Sequence, residues 1–161
     1  MKLDEELIKI KEIDTLDDIY ALVGNRVEYL KELQGDMTDE YQELLKNDLH
    51  SFITSAMHDG AMRVYTVTYK REPVSFGIML FKRIPGDRNN CSFLEADIMN
   101  MYTLPKYRKC GLSSMLLDVM IEKARHIGVV KLSLHTSKAG EKLYRNHGFK
   151  EPQFPVLELN L

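Results

Sequence analysis

The residues best placed to do chemistry are Tyr107-Arg108-Lys109-Cys110-Gly111-Leu112-Ser113-Ser114. They follow a run with strand character and open the clearest helical segment, residues 111–127, where Leu112, Met115, Leu116, Val119, Met120 and Lys123 share one face. A strand-to-helix turn exposes successive backbone N–H groups with no carbonyl four residues back, and the helix dipole adds positive potential at the same place. Both favour a phosphate, and Gly111 lets the backbone approach it closely. The loop has no G-x-x-x-x-G-K-S/T, so it lacks the lysine that grips a nucleoside triphosphate. It has no G-x-G-x-x-G either, so the dinucleotide fingerprint is missing. A pyrophosphate held without metal fits better; the plainer reading is an ordinary basic turn. His50, His58, His126, His135 and His147 form no H-E-x-x-H pair, and Cys91 and Cys110 no C-x-x-C, so no metal site and no disulfide scaffold is expected.

Two further segments add to the loop. Ala96-Asp97-Ile98 lies upstream on the preceding strand, and Leu143-Tyr144-Arg145-Asn146-His147-Gly148-Phe149 lies downstream beyond another strand. Together the three resemble the GCN5-related N-acetyltransferase (GNAT) superfamily over residues 91–150. Arg108-Lys109-Cys110-Gly111-Leu112-Ser113 matches its pyrophosphate loop of Arg or Gln, two variable residues, Gly, one variable residue and Gly or Ala. Leu143, Tyr144, Gly148 and Phe149 match its L-Y-x-x-x-G-F signature. The departures are Ser113 for the last small residue, Ser137 where an Asn often touches the pantetheine arm, and Gly140 where Ala is usual.

The resemblance implies acetyl transfer from acetyl-CoA, as cosubstrate, to a primary amine of a small molecule or an exposed amino group. It implies that Arg108, Lys109, Cys110, Gly111, Leu112, Ser113 and Ser114 hold the pyrophosphate, with Ser137 near the pantetheine. A strand amide at a bulge, Tyr102 or Thr103, faces the thioester oxygen. Tyr144 protonates the departing thiolate, Asp97 is the first candidate base, directly or through water, and Glu95, on the same face, is the second. Each has a plainer reading: a cross-strand charge pair for either carboxylate, a packed core residue for the tyrosine. Cys110 falls at a variable loop position and is read as a small packed thiol in preference to an acyl carrier. His135 ends a strand and reads as structural, and Met99 and Met101 flank the expected acceptor channel. A catalytically silent acyl-CoA-binding or sensing module is the alternative function, and an interaction protein using acidic amino-terminal helices is a third.

These residues need a scaffold, and the pattern supplies one. Residues 6–13 alternate as a short strand. Asp14 or Thr15 caps a helix with Leu16, Ile19, Tyr20, Val23, Val27 and Leu30 at helical spacing, closed by Gly35. Thr38 opens a second helix whose apolar face is Tyr41, Leu44, Leu45, Phe52, Ile53 and Ala56. From Ala61 the period becomes two: MRVYTVTY, a turn over residues 70–73, and VSFGIMLF make a hairpin. Pro85, Gly86, Asp87, Asn89 and Asn90 form a loop before a long strand over residues 91–103 with room for a bulge. After the helix at 111–127, residues 129–135 read as a strand, 138–146 as a short helix, and 149–161 as one or two short strands broken by Pro152 and Pro155. The expected fold is α/β: a GNAT-like mixed, centrally split β-sheet flanked by helices, one domain over residues 1–161.

Composition agrees. A chain of 161 residues with 44% hydrophobic and 29% charged residues builds one sizeable core. A formal net charge of −2 offers no field for nucleic acid. No apolar run is long enough to span a membrane, and residues 1–11 alternate charge with Leu and Ile, so a cytoplasmic protein is expected. The partner expected is an amine acceptor, small molecule or peptide, and a homodimer is left open. Asp36, Asp39, Glu40 and Glu43 could attract a cationic amine, or simply start a solvated helix.

Overall fold

The computed structural model of the protein describes residues 3–89 and 91–161 without the side chain of Ser92; Met1, Lys2 and the expected loop residue Asn90 lie outside it. Strand β1 (Ile8–Glu12) is shorter than expected, because Asp4 caps a single 3-10 turn over Glu5–Leu7 and takes Leu7 out of the strand. It pairs antiparallel with β2 (Met62–Tyr69), Ile10 opposite Val67. The hairpin to β3 (Glu72–Pro85) is closed by Lys70 and Arg71, at φ +53 and +72. Two positive φ values in a two-residue turn match the twist of the flanking strands. β4 (Ser92–Thr103) pairs antiparallel with β3, Leu80 opposite Asp97 and Phe76 opposite Tyr102.

β5 (Val129–Ser133) joins β4 in parallel, and the pairing stops at Asp97 opposite Ser133. Beyond that point β4 runs on to Thr103 paired with β3 and not with β5, which is the expected central split. The order is β1-β2-β3-β4-β5.

Helices cover both faces. α1 (Leu16–Gln34) starts where the Thr15 hydroxyl accepts the Asp18 N–H, and it buries Ile19, Leu22, Val23 and Val27 on one stripe. Ile19, Leu22 and Val23 form the core of that face with Val64, Phe76 and Ile78. α2 (Asp39–His58), capped by Thr38, packs against α1 and β2 and buries only Ile53 fully. Tyr41, Leu44 and Phe52 are exposed, unlike the buried face expected, because α1 takes up the sheet and leaves α2 at the edge of the layer. On the other face, α3 (Leu112–Ile127) buries Leu112, Leu116, Leu117, Met120 and Ala124 against Val67, Val74, Met79, Ala96 and Ile98.

Two ends differ from expectation. α4 (Glu141–Asn146) begins after a turn in which the Gly140 and Glu141 N–H groups donate to Ser137 O. Residues 149–161 form no strand; Phe154, Val156, Leu157, Leu159 and Leu161 are exposed. Pro152 and Pro155 lack the N–H a ladder needs, and alternation alone makes no strand without a paired neighbour. Among the described residues, no helix is long and apolar enough to cross a membrane.

Candidate active site

The loop between β4 and α3 has the geometry its sequence suggests. Pro105–Tyr107 form a 3-10 turn, Lys109 sits at φ +60, and Gly111 caps α3 at φ +80 with no side-chain cap. The Ser114 and Met115 N–H groups donate to Gly111 O, whereas those of Leu112 and Ser113 have no partner inside the helix. Left-handed residues alternating along such a turn make a concave set of donors for an anion. A Cβ on Gly111 would project into open space, so the conformation, not a neighbour, demands glycine there.

The side chains of the loop mostly brace it. Leu112 anchors the first turn in the core. Ser113 Oγ lies 2.8 Å from Thr103 Oγ1, which lies 2.7 Å from the buried Ser75 Oγ, and Ser75 in turn donates to Tyr102 O. A hydroxyl in place of Gly or Ala therefore ties α3 to β4 and β3. Ser114 Oγ is 3.2 Å from His147 Nε2. His147 Nδ1 must donate to Leu143 O at 2.7 Å, since a carbonyl only accepts, so it pins α4 to α3. Cys110 packs against the α3-side core with Sγ 3.5 Å from Arg108 O.

Arg108 is held by β4 and α1. Its Nε donates to Thr103 O at 2.9 Å, and Nη2 pairs with Glu32 of α1 at 2.7 Å. The Tyr102 hydroxyl donates to the same carboxylate at 2.6 Å, and the guanidinium lies over the Tyr102 ring. Those hydrogen bonds from Tyr102 and Arg108 hold the Glu32 carboxyl below the usual carboxylate range. Burial first, then Glu32, push the Tyr102 phenol up to about 12. Leu104 N–H donates to Val74 O, and the two edges of a strand alternate, so the Tyr102 amide faces β3 and the Thr103 amide faces the split.

Along β5 and the carboxy-terminal segment runs an open groove of about 1720 Å³; Asp97, Glu95, Met99, His135 and Tyr144 are among its lining residues, and residues 102–114 are not. Asp97 Oδ1 is 2.8 Å from Lys82 Nζ and Glu95 Oε1 is 2.8 Å from Lys131 Nζ, two cross-strand ion pairs on the α1 face of β4. Met99 shares that face. Met101 does not, because Asn100, at φ +52, forms a bulge that sends Met101 to the α3 side against Gly77 and Met120. Tyr144 is half-buried edge-on to Phe149, 5.8 Å between ring centres, and burial pushes its phenol up to about 12. A Cβ on Gly140 would come within 3.2 Å of the Tyr144 ring, so the missing methyl gives that ring room. Ser137 is exposed, and its hydroxyl accepts the Gly140 N–H at 3.3 Å. Asp36, Asp39, Glu40 and Glu43 stand exposed by the start of α2. No three His, Cys, Asp or Glu among the described residues converge as a metal site.

Sequence reasoning missed Arg26, Tyr29, Glu32 and Asn100. Arg26 Nη1 donates to Asn100 Oδ1 at 2.9 Å, and Tyr29 meets Tyr102 edge to face at 5.7 Å. The available signal was a charge, Arg26, at the spacing of Leu22 and Val23 on the inward stripe of α1.

Known proteins place this geometry. The acetyltransferase (GNAT) domain profile matches residues 61–151. The crystal structure of a predicted acetyltransferase with acetyl-CoA from Clostridium acetobutylicum superposes with a TM-score of 0.80 at 22% identity, over 95% of this chain and 96% of that one. Glucosamine-6-phosphate N-acetyltransferase from Arabidopsis thaliana gives 0.63 at 14% identity, over 94% and 97%. Ribosomal-protein-alanine N-acetyltransferase from Brucella melitensis gives 0.67 at 15% identity, over 96% and 99%. No curated protein sequence matches the chain. With the domain profile spanning the split sheet, the donor loop and the tyrosine helix alike, the chain belongs to the GNAT acetyltransferases.

Proposed function

We propose that this N-acetyltransferase, one domain over its 161 residues, takes the acetyl group from acetyl-CoA and gives it to a primary amine of a small molecule or an exposed amino group by direct attack on the thioester. The observation that carries the reading is the row of amides at the start of α3 that have no partner among the described residues, together with the open edge of β4 and the half-buried phenol of Tyr144. The residues present fit acetyl-CoA, which supplies an activated acyl carbon on a thiolate leaving group. Gly111, Leu112 and Ser113 offer amides to the pyrophosphate; Arg108, held by Glu32, secures the turn that aims them.

The Thr103 amide, on the open edge of the split, faces the place where charge develops on the thioester oxygen. As the amine nitrogen bonds to the acyl carbon and the carbon–sulfur bond breaks, Tyr144 donates its proton toward the sulfur. With the phenol up at about 12, Tyr144 stays protonated at neutral pH, and the same desolvation raises the basicity of the departing thiolate. Lys82 occupies Asp97 Oδ1, which leaves Oδ2 for a water that takes the amine proton. Glu95, more enclosed and paired with Lys131, is the second candidate. Acceptors of the similar proteins range from a sugar phosphate to a ribosomal protein, and a cytoplasmic site is where acetyl-CoA would be drawn. The exposed apolar run from Phe154 to Leu161, beside the open edge of β5, supports association of two copies.

Thiol release from acetyl-CoA on a panel of small amines and free-amino peptides tests the reading. Turnover of at least one amine is expected; binding of acetyl-CoA with no turnover on any would favour the silent module. With the best acceptor and saturating acetyl-CoA, Asp97→Asn lowers kcat/KM at least tenfold. The same loss for Glu95→Gln, with none at Asp97, exchanges their roles, and no loss at either removes both from proton transfer.

A further inference from the structure

Arg26 lies on the inward stripe of α1, one turn beyond Leu22 and Val23, and burial holds its guanidinium below the ordinary arginine range. A desolvated cation is ordinarily compensated by a carboxylate. Among the described residues none comes within ion-pair distance of it, and its hydrogen bond is the one to Asn100 Oδ1. The acids of the same helix are engaged elsewhere: Glu28 with Lys31, and Glu32 with Arg108 and the Tyr102 hydroxyl. Asn100 is buried, left-handed at φ +52, and its Nδ2 has no partner among the described residues. An uncompensated guanidinium and an orphaned amide donor therefore meet at the β4 bulge. The Tyr29 ring, 5.7 Å from the guanidinium, gives the pair an aromatic wall shared with Tyr102.

Position decides what such a pair can recognise. Asn100 precedes Thr103 by three residues, at most about 10 Å of strand at about 3.3 Å per residue, and less across the bulge. Thr103 turns its amide to the split where the amine is acetylated in the reading above. A molecule with its amine at the split and a negative group at the bulge is therefore a short one. We propose that Arg26, oriented by Asn100, is the contact for an oxyanion, carboxylate or phosphate, of a small amine acceptor. Asn100 Oδ1 fixes the fork of the guanidinium, and Nε and Nη2 remain to bind the anion. The proposal rests on the acetyl-transfer reading for the amine end only; the anion site itself can be tested without turnover.

The test follows the Arg26 Nε–H resonance in the acetyl-CoA-loaded protein, assigned with Arg26→Lys. Inorganic phosphate and, separately, acetate are titrated at constant ionic strength against chloride. A saturable shift with one of them is expected, and the arm that gives it distinguishes phosphate from carboxylate. No shift beyond chloride in either arm overturns the subsite, whereas failure of acetyl-CoA to bind would fault the transfer reading instead. In turnover, matched amines with and without the oxyanion (ethanolamine phosphate and ethanolamine, β-alanine and its amide) complete the comparison. The charged member is preferred at least tenfold in the parent, the order of one charge-assisted hydrogen bond. Arg26→Met abolishes that preference through acceptor KM, acetyl-CoA affinity staying within twofold, and Arg26→Lys restores part of it. A preference that survives Arg26→Met, or equal use of neutral amines, contradicts the assignment.

Discussion

Gly111→Val weakens acetyl-CoA binding by at least tenfold. Gly111 caps α3 at φ +80, where an L-residue costs roughly 1–2 kcal/mol and a β-branched one more. Among the described residues nothing lies within 4 Å of the position a Cβ would take, so the first cost of a side chain there is the backbone strain and not a clash at Cβ. The chain can relieve that strain by leaving the left-handed region, which swings the amides of Gly111, Leu112 and Ser113 off a common target. With 1.4 kcal/mol equal to a tenfold change in affinity, even partial relief is measurable. The core residues Leu112 and Leu116 keep α3 seated, so calorimetry on a folded variant separates lost binding from lost structure. Gly111→Ala shows the same direction with a smaller loss. Parent-like binding by Gly111→Val would remove the loop from the cofactor site.

Tyr144→Phe lowers turnover about a hundredfold or more and changes acetyl-CoA affinity less than threefold. The substitution deletes one hydroxyl and keeps the ring against Phe149, so the packing survives while the proton donor is lost, and general acids contribute about 10²–10⁴ to rate. The sign of the pH dependence follows from burial. A phenol pushed up to about 12 remains protonated through the neutral and mildly alkaline range, so Tyr144 contributes no falling limb to kcat there. Equal turnover in the two proteins would return Tyr144 to a packing role.

Local signals in the sequence carried the parts that depend on local physics. The cap at Asp14 or Thr15, the cap at Thr38, the left-handed Gly111 at the start of α3 and the period-two run of β2 each dictate their element through neighbours a few residues away. The donor loop was legible for the same reason. What escaped depends on distant partners. Arg108 meets Glu32, and Arg26 meets Asn100, across 76 and 74 residues, and no spacing rule announces such pairs. Met99 and Met101 share a face in a regular strand; one left-handed residue between them separates the two. The apolar stripes of α2 and of residues 149–161 show amphipathic patterning without showing what, if anything, covers it. Asp97 and Glu95 were legible as neighbours on one face, but their lysines come from β3 and β5 and depend on register.

The central claim is that backbone amides at the start of α3 hold the pyrophosphate of acetyl-CoA. Titration calorimetry with acetyl-CoA and with acetyl-pantetheine, which carries the same thioester but no pyrophosphate, tests it most directly. One saturable site for acetyl-CoA is predicted, with acetyl-pantetheine bound at least tenfold more weakly and the difference largely lost in Gly111→Val. Absence of saturable heat with acetyl-CoA, or equal affinity for the two thioesters, would contradict it.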